Sequence, residues 1–106
     1  MEAIRELYKK DRTVDFFGTK WKIKFVDTIE VPDGNQVDGL TDSTNKILSI
    51  AVKNNSETEL TFLHELIHSM LNTGQYLNSS RDEPMVEWLA RCFNALIKQG
   101  ILKWNL

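Results

Sequence analysis

Apolar and polar positions follow two different periods along this chain, and the change of period separates a sheet-forming half from a helical half. Between residues 2 and 10, Ile4, Leu7 and Tyr8 share one helical face among charged neighbours, which predicts a short amphipathic N-terminal helix. Trp21, Ile23 and Phe25 then alternate with Lys22 and Lys24, the period-two pattern of a half-buried strand. A second, weaker strand is predicted over 37–41, and a third on the alternation of Leu48, Ile50 and Val52. Pro32-Asp33-Gly34-Asn35 and Asp42-Ser43-Thr44-Asn45 separate the three as turns by composition. Turns this short favour hairpins, so the expected sheet is small, three-stranded and mainly antiparallel.

Beyond residue 55 the spacing becomes helical. Ser56 followed by Glu59 reads as a capping box, in which each side chain satisfies an amide left unpaired at the helix start. Leu60, Leu63, Ile67 and Met70 recur at helical intervals, and Gly74 suits the left-handed residue that ends a helix. A last helix begins near Pro84, carries Val86, Leu89, Ala90, Phe93 and Ile97 on its apolar face, and closes at Gly100. The tail, 101–106, is apolar enough to dock back on the core. With no repeats or linkers, the expectation is a single α+β domain over 1–106, ordered helix, small sheet, helix, helix.

The better-marked helix contains His64-Glu65-Leu66-Ile67-His68. Four residues advance a helix by slightly more than one turn, so both imidazoles project from one face and can meet one ion. Glu65 stands beside such an ion without ligating it, placed to accept a proton from activated water. A lone histidine on a helix is usually an ordinary core or surface residue. Here the chain's 2 histidines both fall in one H-E-x-x-H pattern, inside a helix and ahead of a second, acidic one.

A catalytic zinc typically takes three protein ligands and keeps one position open. Position 71 is Leu71 and no third histidine exists, which leaves carboxylates. Glu83 and Glu87 lie one turn apart on the last helix, hence on one face. Depth favours Glu87, one turn inside the helix where packing can hold its rotamer. Glu83 precedes Pro84 at the helix start, where capping or a dipole interaction is the plainer role. Glu87 is the expected third ligand and Glu83 the alternative.

Composition narrows the rest. A net charge of -2, from 13 basic and 15 acidic residues, gives no footprint for nucleic acid. No apolar run is long enough to span a bilayer, and the N-terminus mixes both charge signs as a secretory signal does not. Cys92 is the only cysteine, so neither an internal disulfide nor a cysteine-based zinc knuckle is available. A cytoplasmic monomer without nucleic-acid or membrane partners is the default expectation. Cys92 reads as a buried structural thiol, Trp21, Trp88 and Trp104 as core or near-core residues, and 9–12 as a solvated helix end.

Thr61-Phe62-Leu63-His64-Glu65-Leu66-Ile67-His68, followed by Glu87-Trp88-Leu89-Ala90, resembles the small gluzincin-type metallopeptidases of the ImmA/IrrE class and their phage-encoded relatives. Gly39-Leu40-Thr41-Asp42 and Ile47-Leu48-Ser49-Ile50 resemble the hairpin those proteins place before the active helix, so the likeness spans about residues 36–97. It implies a zincin-like fold with a small sheet over two helices, a His-His-Glu zinc site with the glutamate on Glu87, and hydrolysis of a peptide bond in a protein or peptide substrate. The chain departs from the pattern at Arg91, where relatives often carry Asn.

Hydrolysis also needs a donor for the developing oxyanion. Tyr76 is the first candidate, ahead of Asn72, Arg81 and Arg91; its structural alternative is packing on the helix end. Two further readings compete with a zinc peptidase. One is a zinc-stabilised, non-catalytic adaptor such as an anti-repressor, which would have no need of Glu65. The other is a zinc hydrolase of a non-peptide amide.

Overall fold

The alternation at Trp21, Ile23 and Phe25 forms the strand it predicts, at the centre of a larger sheet than expected. A computed structural model describes residues 10–103, and within them the chain runs β1 (Arg12–Phe16), β2 (Thr19–Val26), β3 (Ile29–Glu30), β4 (Gln36–Val37), β5 (Gly39–Asp42), β6 (Ile47–Ala51), α1 (Asn55–Thr73), α2 (Leu77–Ser80) and α3 (Glu83–Lys98). The helix expected over 2–10 lies outside the described residues, Lys10 excepted, and so does Trp104.

The main sheet has four strands in the order β1-β2-β6-β5 and is mixed, which corrects the three-stranded antiparallel expectation. β1 and β2 form a hairpin that sequence reading missed, closed by Phe17 and Gly18, which both take positive φ. The turn at 32–35 does not join two strands of this sheet. It closes a separate ribbon, in which Ile29 pairs with Val37. That ribbon lies within a connection, 27–46, long enough to carry the chain around, so β2 meets β6 in parallel, with Ile23 opposite Leu48 and Phe25 opposite Ile50. The hairpin of β5 and β6 is antiparallel as expected, and β5 is left as an edge strand.

Trp21, Ile23, Leu48, Ile50 and Phe62 are buried together, with Phe25 meeting Phe62 edge-on at 5.7 Å between ring centroids. Leu63, Ile67, Val86 and Ala90 form a second cluster between α1 and α3, so α1 lies between the sheet and α3. Trp21 Nε1 also donates to Thr73 Oγ1 at 2.8 Å, tying the sheet to the last turn of α1.

Local signals were misread at three points. The N-cap of α1 is Asn54, whose side chain accepts from Glu57 N at 2.9 Å; Ser56 is already inside the helix. Glu59 is buried instead of capping, and burial pushes its carboxyl above the usual range while Lys98 partly offsets that. Gly74 is right-handed at φ −79, and Gln75 takes the left-handed conformation at φ 63. A Cβ at 74 would stand 2.9 Å from the Tyr76 ring, so glycine there leaves room for that exposed ring to pack over the helix end. Gly100 does end α3 with φ 78. Trp88 is exposed and Cys92 half-buried, so neither is the core residue expected. No helix among the described residues is long and apolar enough to cross a membrane.

Candidate metal centre

His64 and His68 project from the same face of α1, as the four-residue spacing requires, with ring centroids 5.0 Å apart. What they face is the first turn of α3. Glu83 Oε2 lies 2.9 Å from His64 Nε2, and Glu83 Oε1 lies 3.0 Å from His68 Nε2. Glu87 reaches the opposite side of one ring, with Oε2 3.2 Å from His64 Nδ1, and its other oxygen meets Arg91 Nε at 3.5 Å. Of the two carboxylates offered by the sequence, it is the alternative, Glu83, that lies against both Nε2 atoms in this geometry, while the expected Glu87 meets one ring only.

The reason lies at the start of α3. Asp82, and not Glu83, is the N-cap, and its side chain accepts from Met85 N at 3.2 Å. Relieved of capping, the Glu83 carboxylate is free to turn towards α1. Val86 and Ala90, fully buried against Leu63 and Ile67, set the level at which α3 crosses α1. At that level Glu83 comes opposite the gap between the imidazoles and Glu87 comes opposite the outer edge of His64.

One ligand atom from each of His64, His68 and Glu83 falls within 4.8 Å of the others. Ligands bound at about 2.0–2.1 Å in a tetrahedral arrangement sit about 3.3–3.5 Å apart, so the group needs only small adjustments to hold one ion. Two imidazole nitrogens and a carboxylate are also a donor set suited to a divalent transition metal. The Nδ1 partner of His64 completes the fit. A carboxylate can only accept, so with a cation on Nε2 in place of the Glu83 contact, Nδ1–H would donate to Glu87 and keep the ring in position.

Glu65 stands beside this group, buried, and accepts from the Thr41 hydroxyl through Oε1 at 2.7 Å. Burial pushes its carboxyl above the usual range; the Thr41 hydroxyl, then His68 and His64, pull it back, and Glu83 adds a small push upward. The carboxylate fits because β5 carries no side chain at Gly39. A Cβ there would lie 2.7 Å from Glu65 Cγ, 2.8 Å from Glu65 Oε2 and 2.9 Å from Thr61 Cγ2. Gly39→Ala is accordingly expected to displace Glu65 from Thr41 and to cost about 1–3 kcal/mol through overpacking, read as a lower midpoint of denaturant unfolding. An unchanged midpoint would show that β5 yields without strain.

Two open hollows of about 340 and 320 Å³ meet at Gly39, His64 and Glu65, one extending to Asp38 and Glu57, the other to Leu40 and His68. Together they form a trough between the β5 edge and the histidines. Tyr76 does not line it: its ring packs over Gly74 and is otherwise exposed, the structural role set against catalysis above. Arg91 reaches the site only through Glu87, and Asn72 lies behind His68, where it donates to the His68 carbonyl oxygen at 2.8 Å. Gly39 and Thr41 have roles here that sequence reading missed, since no spacing rule links them to the motif.

Compared with known proteins, the chain matches no protein-family model, no functionally characterised protein and no solved structure.

Proposed function

We propose that this chain is a zinc hydrolase acting on peptide bonds, with His64 Nε2, His68 Nε2 and Glu83 as ligands and Glu65 as general base. The observation that carries the reading is the Glu65 carboxylate, buried beside a His-His-Glu group and held by Thr41 at the wall of an open trough. A structural metal site needs ligands alone; a positioned carboxylate next to them is the requirement of proton transfer.

Zinc bound there supplies a Lewis acid for the carbonyl and brings the pKa of water to about 7. Glu65 takes the proton from the attacking water and passes it to the leaving amine, which its burial favours by lifting its pKa towards the working range. Glu87 holds the His64 ring through Nδ1, and Thr41 holds Glu65. β5 is an edge strand of the main sheet among the described residues and lies beside the trough, and an extended peptide adding to it would be read mainly through its backbone.

The purified protein is expected to contain about one zinc per chain, as measured by elemental analysis. A chelator should then lower its thermal midpoint, because an ion at a thousand times its dissociation constant stabilises the folded state by about 4 kcal/mol. A folded, metal-free protein whose midpoint does not respond to added zinc would overturn the assignment. Cleavage of candidate regulatory proteins by wild type, compared with Glu65→Gln, tests the hydrolytic part.

A further inference from the structure

The α2 turn places a buried hydroxyl behind the second histidine. Ser80 Oγ lies 3.0 Å from His68 Nδ1 and 3.1 Å from Asn72 Nδ2, and Asn72 Nδ2 lies 2.8 Å from the His68 carbonyl oxygen. These distances fix the chemistry of the cluster. A carbonyl oxygen only accepts, so the amide end of Asn72 facing it is the NH2 group, and the second proton of that group is donated to Ser80 Oγ. One lone pair of Ser80 is thereby occupied, and a proton and the other lone pair remain to serve His68 Nδ1.

We infer that Ser80, pinned by Asn72, is a positioning residue for His68, holding the ring so that Nε2 faces the metal ligands whichever nitrogen carries the proton. When Nδ1 is bare, the Ser80 hydroxyl donates to it and the Nε2–H group donates to Glu83. When Nε2 offers its lone pair to a cation, Nδ1 carries the proton and donates to Ser80 Oγ. Only the hydroxyl proton rotates between the two states; the ring does not turn. The two histidines thus have different supports at Nδ1: His64 meets the Glu87 carboxylate, which can only accept, whereas the Ser80 hydroxyl serves His68 as donor or acceptor. Ser80 is buried, so water does not readily replace it once removed.

The inference rests on the metal-site reading above, and the experiment separates the two. Zinc affinity is measured by competition with a chelating dye for wild type, Ser80→Ala, Ser80→Thr and Asn72→Ala. Imidazole nitrogen shifts of His64 and His68 are recorded by nitrogen-15 NMR on the metal-free proteins. Ser80→Ala is expected to remain folded, to bind zinc about ten- to a hundredfold more weakly, and to move the His68 Nδ1 signal while leaving those of His64 in place. Ser80→Thr, which restores the hydroxyl, should recover both readouts, and Asn72→Ala should shift His68 in the same direction.

Unchanged affinity and unchanged His68 signals in Ser80→Ala would overturn the role of Ser80 while leaving the metal site intact. So would a folded Ser80→Thr protein that behaves like the alanine variant, or equal shifts at both histidines. If wild type binds no zinc, the metal reading falls, and the nitrogen shifts of the metal-free proteins still decide whether Ser80 orients the ring.

Discussion

Glu83→Ala is expected to abolish zinc binding in a protein that still folds, whereas Glu87→Ala should retain the ion with affinity reduced about ten- to a hundredfold. The asymmetry follows from which imidazole nitrogen each carboxylate meets. Glu83 spans both Nε2 atoms, at 2.9 and 3.0 Å, and among the described residues is the only carboxylate that joins the two rings. Removing it leaves two ligands, fewer than a stable mononuclear site uses. Of the two rings Glu87 meets only that of His64, at Nδ1, so its loss frees a ring orientation and weakens the basicity of one ligand. Neither change strips a large apolar surface from the core, and Asp82 continues to cap α3, so the fold should survive in both variants. Dye-competition titrations with circular dichroism as a folding control give the comparison. If Glu87→Ala releases the metal and Glu83→Ala does not, the two roles must be exchanged.

Glu65→Gln should keep the metal and lose turnover by about a hundred- to ten-thousandfold on any authentic peptide substrate. Glutamine fills the same space over Gly39 and can still accept from Thr41 through its amide oxygen, so the packing of β5 against α1 is preserved. What it cannot do is take a proton from water. Loss of zinc in this variant would mark Glu65 as a ligand. Equal turnover would remove it as the base. Metal retained with no cleavage by wild type, across a broad panel of peptides and proteins, would favour a zinc-stabilised binding role on the same fold.

These expectations draw on two kinds of information, and the boundary between them can be traced residue by residue. The direction in which a side chain leaves its own element was legible in the chain. Helical periodicity put His64 and His68 on one face of α1, alternation put Trp21 and Ile23 on the inner face of β2, and Val86 and Ala90 were readable as the apolar face of α3. Each of these depends only on 3.6- or 2-residue periods that any local stretch obeys.

Relations between elements depended on tertiary packing. Glu83 and Glu87 share a face and are separated by one turn, about 5.4 Å, so no local rule distinguishes them. The choice was made by the level at which Val86 and Ala90 seat α3 against Leu63 and Ile67, and by Asp82 taking the capping role. In the same way, alternation predicted strands but not that β2 would pair in parallel with β6, which requires the connection through 27–46 to travel around the ribbon of β3 and β4. That pairing leaves β5 at the edge, which brings Gly39 and Thr41 over Glu65, while the short α2 turn brings Ser80 behind His68. The chain by itself determined that two histidines and a glutamate would stand together on one helix. Only the folded arrangement decided which carboxylate joins them and which neutral groups hold them, because those distances are set across packed elements rather than along one.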